Sequence, residues 1–346
     1  MKSKINNFLK KYSPYSYYSI FGLVLISLPL LVNMGVLGYS ILTIIASILV
    51  YSIVALGLNL LIGYSGLVSL GTAGFMGLGT YLAAFFTSNL NLPFELSLLL
   101  SIAIPMLIGV LTGLVSLRIE GYYLAIATLV ISEILRKVFV EFDVITNGFS
   151  GKTAKYPKLL GFLELDRNGT FVFIVILLIG IMFLTHNFIN SYTGRALSTM
   201  RGSEAAAQAM GINIYKYRLI SFAIAVGYAA LGGILYVHFV KYTYPNAWTL
   251  LFSLNILAVI IIGGVRSIPG TILGAFVVFG VPELILKNIP ILGQIDGLAY
   301  IFNGVLIIVV ILLYPAGLIH LWTNFKLKRL KKQLSKEMGQ EGYGEK

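Results

Sequence analysis

Residues able to do covalent or phosphate chemistry are few in this chain and poorly spaced for it. Gly63-Tyr64-Ser65-Gly66 has the Gly-x-Ser-Gly spelling of a serine nucleophile, and His238 lies on a later apolar run. Such a serine needs a base within hydrogen-bond reach. Gly148-Phe149-Ser150-Gly151 spells the same pattern, so it recurs by composition in a chain with 36 glycines. Gly151-Lys152-Thr153 ends like the phosphate-cradling Gly-x-x-x-x-Gly-Lys-Ser/Thr loop, but Thr146 stands where the first glycine is required. The absence of cysteine removes thiol nucleophiles, disulfides and Cys-held metal. His186, His238 and His320 are far apart and read as interfacial polar residues rather than ligands. No catalytic residue, cofactor or metal site is expected in this chain.

Composition directs the reading toward the membrane. Charged residues make up 11% and hydrophobic residues 58%, and mean hydropathy is +0.91. Soluble domains carry about 25% charged residues. The net charge of +12 comes from Lys and Arg at the ends of apolar runs and in both tails. It reads as topology-setting charge beside anionic lipid, not as a nucleic-acid surface.

A spanning helix needs roughly 20 apolar residues. The apolar runs are 18–34, 38–62, 66–88, 94–117, 120–140, 170–188, 219–240, 248–265, 270–287 and 299–314. The first follows a basic start and reads as a retained helix rather than a cleaved signal. The expected fold is all-α: one polytopic bundle, 1–346, with about ten spans within 18–314. Runs 66–88 and 270–287 are rich in glycine and could be re-entrant or broken. With the N-terminus inside, most of the 25 basic residues fall on inner segments, including Arg195, Arg201, Lys216, Arg218 and Arg266. That bias favours cytoplasmic N- and C-termini and a plasma (inner) membrane location. The polar loop 141–169 then lies outside, able to cover a pore mouth or receive a soluble partner. Loop 189–218 and the basic tail 315–346 lie inside.

Polar residues at membrane depth are costly and mark candidate transport paths. Asn59 and Asn255 sit in similar Leu-Asn settings, lining a path or bonding between helices. Glu133 is the acidic residue set deepest in a run, and an ion pair with Arg136 or Lys137 on the same helix is the favoured role. The stretch around Ser65, Gly66, Ser69, Gly71 and Thr72 offers close helix approach and exposed backbone polarity. Irregular backbone is tolerated at this depth only when buried in protein or lining a cavity.

The inner loop holds the most informative sequence. Ser203 is a good N-cap, Glu204 suits a helix N-terminus, the alanines 205, 206, 207 and 209 favour helix, and Gly211 is a natural stop. A helix of about two turns is expected there, faced with small side chains. So short a helix gains little by standing alone, and docking to a partner explains it better than a linker role.

Glu204-Ala205-Ala206 followed by Gly211 resembles the Glu-Ala-Ala…Gly pattern of ABC importer permeases. With Gly194-Arg195-Ala196-Leu197 and Arg201 ahead of it, the segment looks like the branched-chain amino acid permease family, of the LivM type. Leu58-Asn59-Leu60-Leu61 through Gly66 to Ser69-Leu70-Gly71 is similar to a second family segment. So are Arg118–Leu129 with Glu133–Arg136, and Gly263-Gly264 with Ser267, Gly270 and Gly274-Ala275. Two departures are Arg266 and Asn147, where the family often has glycine.

The resemblance implies a permease subunit without its own ATPase site, importing branched-chain or related amino acids by alternating access. It implies a coupling role for Arg201, Ser203, Glu204, Ala205, Ala206 and Gly211. The implied partners are two cytoplasmic ATP-binding subunits, a second similar permease chain and an extracytoplasmic substrate-binding protein, with ATP held only by the partners. A urea or amide permease of the same family, or an ion-coupled secondary transporter, are the alternatives.

Overall fold

The computed structural model describes residues 2–117, 122–284, 297–313 and 317–319 of the 346. Most of the tail expected at 315–346, His320 included, and parts of the expected runs 120–140, 270–287 and 299–314 lie outside the described residues, as do Arg118 and Glu120.

The architecture is all-α. Helices α1 (Lys2–Ile26) and α2 (Leu28–Asn33) lead into α3 (Tyr39–Leu60), which ends in a π-helical turn, Leu61–Ser65. Then follow α4 (Thr72–Ser88), α5 (Phe94–Ser116), α6 (Tyr122–Glu141) and a short α7 (Asp143–Thr146). Helices α8 (Arg167–Asn190), α9 (Tyr192–Gly202), α10 (Glu204–Ala209) and α11 (Ile214–Val240) come next. The chain continues through α12 (Leu250–Gly263), α13 (Ile268–Ala275), α14 (Val281–Leu284) and α15 (Leu298–Leu313). Strands are confined to two small antiparallel pairs near one end: β1 (Lys152–Thr153) with β4 (Tyr242–Thr243), and β2 (Lys158–Leu159) with β3 (Leu163–Glu164).

Six stretches of the described residues are long and apolar enough to cross a membrane: Pro14–Asn33, Tyr39–Ser65, Phe94–Ser116, Arg167–Asn190, Ile214–Val240 and Pro245–Gly263. The expectation of about ten full spans is therefore met only in part. Of run 66–88 only α4 is helical, 17 residues long. α6 carries Glu133, Arg136, Lys137 and Glu141 in its second half. Within the described residues the apolar stretches Ile268–Leu284 and Ile301–Val310 run 10–17 residues.

The core sits around α11, which packs against α3, α4, α5 and α8, burying Ala229, Ala230, Ile234 and Leu235. The outer faces of α1 and α5 expose Ile20, Leu23, Leu99, Leu107 and Leu111, the pattern of a surface solvated by lipid rather than water. Several hydroxyls inside the apolar helices are satisfied by their own helix. Ser52 donates to Ile48 O at 2.8 Å and Thr80 to Met76 O at 2.8 Å, as hydrocarbon surroundings require.

Close approach of α12 and α13 depends on absent side chains. A Cβ on Gly263 would lie 2.1 Å from Gly270 O, and one on Gly274 would lie 2.1 Å from Val259 O. Small residues let helix backbones meet in this way, and the pair forms a tight hairpin whose turn holds Arg266.

Candidate functional site

The segment between α8 and α11 is a staircase of three capped helices. Ser191 Oγ accepts from Gly194 N–H at 3.3 Å, Ser203 Oγ from Ala206 N–H at 3.3 Å, and Asn213 Oδ1 from Lys216 N–H at 3.0 Å. Each side chain satisfies an amide that a helix start leaves without a partner. Helix α10 spans six residues, and Gly211 follows it in the left-handed region at φ +77°. Ala207 is fully buried against Leu197, Met200 and Ile214, while Ala205, Ala206, Ala209 and Met210 are exposed. One face thus anchors the helix, and the other presents methyl groups and the Met210 thioether.

Two charged contacts fasten this staircase to the bundle. Arg218, in the first turns of α11, donates to Glu204. Arg201, in the last turn of α9, donates through Nη1 to the carbonyls of Ile62 and Gly63. Burial first, and then the nearby Arg266, hold the Arg201 guanidinium below its ordinary pKa. The carbonyls are free to accept because the helix loosens into a π-turn at Leu61–Ser65 and ends at Gly66, φ +75°.

The same carbonyl receives a second arginine. Arg266 donates from Nε to Gly63 O at 2.6 Å, and its backbone N–H donates to Asn59 Oδ1 at 2.9 Å. Asn59 Nδ2 in turn donates to Thr271 Oγ1 at 2.6 Å and to Ser267 O at 3.4 Å. Asn59 is therefore an interhelical tie between α3 and α13.

Beyond Gly66 the backbone is irregular until α4 begins, and its amides are met by hydroxyls. Gly71 N–H donates to Ser69 Oγ at 3.3 Å and Leu70 N–H to Thr128 Oγ1 at 2.9 Å. Ala73 N–H donates to Ser253 Oγ at 3.0 Å, and Gly74 N–H to Ser132 Oγ at 2.9 Å. Thr128 and Ser132 come from α6 and Ser253 from α12, so a helix N-terminus buried in the bundle is capped by three neighbouring side chains. Ser69 and Thr72 line a void of only about 10 Å³ with Leu58, Leu61, Phe75 and Phe222. That is room for one water at most, so this part of the bundle is closed. Ser65 Oγ is buried without a hydrogen-bond partner among the described residues.

The sequence candidates do not form one cluster. Asn59, Ser65 and Gly66 gather near Arg201 and Arg266, and Ser69, Gly71 and Thr72 form the α4 entry. Glu133 is paired on its own helix, 2.8 Å from Arg136 Nε. Asn255 Oδ1 accepts from Asn303 Nδ2 at 3.3 Å, joining α12 to α15. Neither lines the void. Sequence reasoning passed over Thr128, Ser132 and Ser253, whose signal is hydroxyls at helical spacing inside apolar runs. Arg266 it met as an inner basic residue and as a departure from glycine, not as a contact of α3.

At the opposite end, loop 142–166 closes over the bundle. His238 Nδ1 bonds Lys155 O at 2.7 Å, and Ser65 lies at the other end, so these two form no catalytic pair. Lys152, which completes the phosphate-loop-like spelling, donates from Nζ to Ile145 O at 2.7 Å and sits over the Phe85 ring. Its burial lowers the pKa of the ammonium. A cavity of about 610 Å³ lies beside this loop, lined by Leu92, Phe94, Lys155, Tyr156, His238 and Lys241 among others. Among the described residues no group of three or more His, Asp or Glu could hold a metal.

Comparison with known proteins converges on one family. The sequence profile described as "Branched-chain amino acid transport system / permease component" matches residues 40–311. The high-affinity branched-chain amino acid transport system permease protein LivM of Escherichia coli (strain K12) is 27% identical over 316 residues, covering 84% of this chain and 71% of that protein. A probable branched-chain amino acid transport permease protein LivH of Methanocaldococcus jannaschii is 27% identical, covering 82% of this chain and 91% of its own. The ribose import permease protein RbsC of Haemophilus influenzae is 28% identical over 69% of this chain and 75% of its own. No solved structure matches significantly.

Proposed function

Starting from the fact that this chain belongs to the branched-chain amino acid transport system permease family, we propose that it is a membrane-spanning subunit of an ABC importer for branched-chain or related amino acids. It binds no nucleotide itself. Two ATP-binding subunits on the cytoplasmic side dock α10, a second permease chain completes the pore, and an extracytoplasmic binding protein delivers substrate to the loop 142–166 end. In this reading both termini are cytoplasmic, and α4, α6, α13–α14 and α15 complete ten passages through the bundle.

The observation that carries the reading is the α10 helix with its two fastenings. Six residues of exposed helix gain almost nothing by forming alone. Capped by Ser203 and braced through Arg201 and Glu204, however, the helix is a rigid lever on the bundle. A partner's groove can approach its alanine face closely, and displacement of the lever reaches the broken end of α3 through Arg201.

The path for substrate runs by the α4 entry. Hydroxyls that now cap its amides form a polar surface inside an apolar bundle, and the positive end of a helix favours a carboxylate. With only about 10 Å³ open beside Ser69 and Thr72, the path is shut in this conformation, as alternating access requires of one state.

The test is co-purification with the ATP-binding subunits and ATP-driven leucine uptake, comparing wild type with Gly211→Trp. The indole at a left-handed turn beside α10 is expected to abolish both. Intact assembly and uptake would overturn the docking role of α10.

A further inference from the structure

We infer that the Gly63 carbonyl is a three-way junction, and that Arg266 is the positioning residue through which movement of the α9–α10 arm also reaches the α12–α13 hairpin. This rests on the reading of α10 as the helix on which the ATP-binding subunits act.

A carbonyl oxygen has two lone pairs, and both on Gly63 are engaged by guanidinium groups from separate turns. Arg201 reaches it across 138 residues and Arg266 across 203. Gly63 itself belongs to the π-turn that ends α3. Three bodies therefore meet at one atom: the arm that ends in α10, the broken end of α3, and the turn between α12 and α13.

Arg266 is built into this position at a cost. Its φ is +67°, a region that L side chains other than Asn and Asp rarely adopt. Glycine would hold the same backbone without strain and keep the N–H donated to Asn59. What glycine cannot supply is the Nε contact to Gly63 O at 2.6 Å, or the guanidinium set 5.4 Å from the Tyr64 ring centroid. Tyr64 closes the loop by donating its hydroxyl to Arg266 O at 3.3 Å. The side chain is thus held where its only evident gain is the junction.

Among the described residues, no carboxylate lies within ion-pair distance of Arg201 or Arg266. Two like charges sharing one acceptor repel each other, so displacement of Arg201 by the arm is eased, while the Arg266 side chain adds to the Asn59 tie a second link, from the α12–α13 turn to the very end of α3. The hairpin then follows α3 rather than staying with α8.

The chain has no cysteine, so it adds no background of its own when labels are attached before it is assembled with its partners. In the full complex reconstituted in lipid, spin labels at Leu184→Cys on α8 and Leu273→Cys on α13 report hairpin movement whether or not substrate is present. Both side chains are exposed. ATP binding is expected to change their separation in the wild-type background and not in Arg266→Gly. Leucine transported per ATP hydrolysed is expected to fall about tenfold in Arg266→Gly, the scale of losing one charged hydrogen bond, and to recover in Arg266→Lys.

Thermal stability separates junction from scaffold, because Arg266→Gly relieves the left-handed strain and should raise the unfolding temperature while coupling falls. Arg201→Gln is expected to lower coupling as well, and the double variant to be no worse than the weaker single one, as for two contacts in one network. An Arg266→Gly protein that keeps the ATP-driven distance change and coupling overturns the inference. So does one in which coupling, assembly and stability fall together, which would make Arg266 merely structural. If instead Gly211→Trp leaves assembly intact, it is the docking role of α10 that fails.

Discussion

Asn59 Nδ2 lies 2.6 Å from Thr271 Oγ1, a bond across 212 residues that ties α3 to α13. The oxygen of the same side-chain amide, Oδ1, accepts the Arg266 N–H at 2.9 Å, and Asn59 is only 5% exposed. Asn59→Leu removes both bonds and the longer one to Ser267 O, and leaves the Arg266 N–H without its acceptor. The expected loss is about 1–3 kcal/mol, read as a lower unfolding temperature in lipid or detergent. Thr271→Val, which strands only one amide hydrogen, should cost less, about 1 kcal/mol. Equal stability of Asn59→Leu and wild type would show that the tie contributes nothing.

Ser203 starts α10 by accepting the Ala206 N–H at 3.3 Å. Ser203→Ala should cost about 1 kcal/mol of local helix stability. In a helix of six residues that is enough to lower its population without unfolding the bundle. The expected outcome is weaker retention of the ATP-binding subunits during purification and faster amide exchange at 206–209, with Ser203→Asp restoring both. Exchange rates unmoved by the alanine variant would show that tertiary packing of Ala207 holds α10 without the cap.

What the sequence made legible here was local. Ser203 and Gly211 bracket α10 within nine residues, and Glu133 with Arg136 sits one helical turn apart, so composition and spacing were sufficient. The junction at Gly63 was not legible, because its donors arrive from turns 138 and 203 residues away. Nor were the caps of α4: Thr128, Ser132 and Ser253 look like ordinary hydroxyls in apolar helices until the fold brings them to Leu70, Ala73 and Gly74. Span counting was limited for a physical reason of the same kind. Glycine in runs 66–88 and 270–287 signalled a break, but not its place: α4 starts only at Thr72, and a π-helical turn at Phe276–Gly280 follows α13.

Lys158 Nζ donates to Glu164 Oε1 at 2.8 Å between the paired strands β2 and β3. That contact first by its hydrogen bond, then by its charge, holds the Glu164 carboxyl below the ordinary carboxylate value. A carboxylate whose pKa is lowered on folding contributes above its unfolded pKa, and the contribution is lost as pH falls through the folded value. The hairpin should therefore exchange its amides relatively faster on acidification below the usual carboxylate range, after correction for intrinsic rates. Lys158→Ala should abolish that extra pH dependence, and if it does not, another group controls the hairpin.

Ser132 Oγ accepts the Gly74 N–H at 2.9 Å while only 4% exposed. Ser132→Ala leaves that amide without an acceptor at membrane depth, a cost of about 1–3 kcal/mol, whereas Ser132→Thr keeps the oxygen. If the α4 entry is also on the substrate path, the alanine variant should lower leucine uptake more than stability alone explains. The measurement is uptake per correctly assembled complex, with unfolding temperature recorded for the same preparations. Uptake that falls only in step with the amount of folded complex would confine Ser132 to a structural role.

Gly233 sets how closely α11 and α4 can lie. A Cβ there would stand 2.0 Å from Met76 O and 2.6 Å from Thr80 Oγ1, and the first of these is backbone that cannot swing aside. Gly233→Ala must therefore push two buried helices apart, with an overpacking cost of about 1–3 kcal/mol or more. Thr80 feels the shift too, since its hydroxyl bonds Met76 O at 2.8 Å. Gly180 on α8 is the matched control, because a Cβ there meets nothing within 4 Å. Gly180→Ala should express and unfold like wild type, while Gly233→Ala should fall in both yield and unfolding temperature. Indistinguishable behaviour of the two variants would mean that α4 and α11 do not pack at this separation in the membrane.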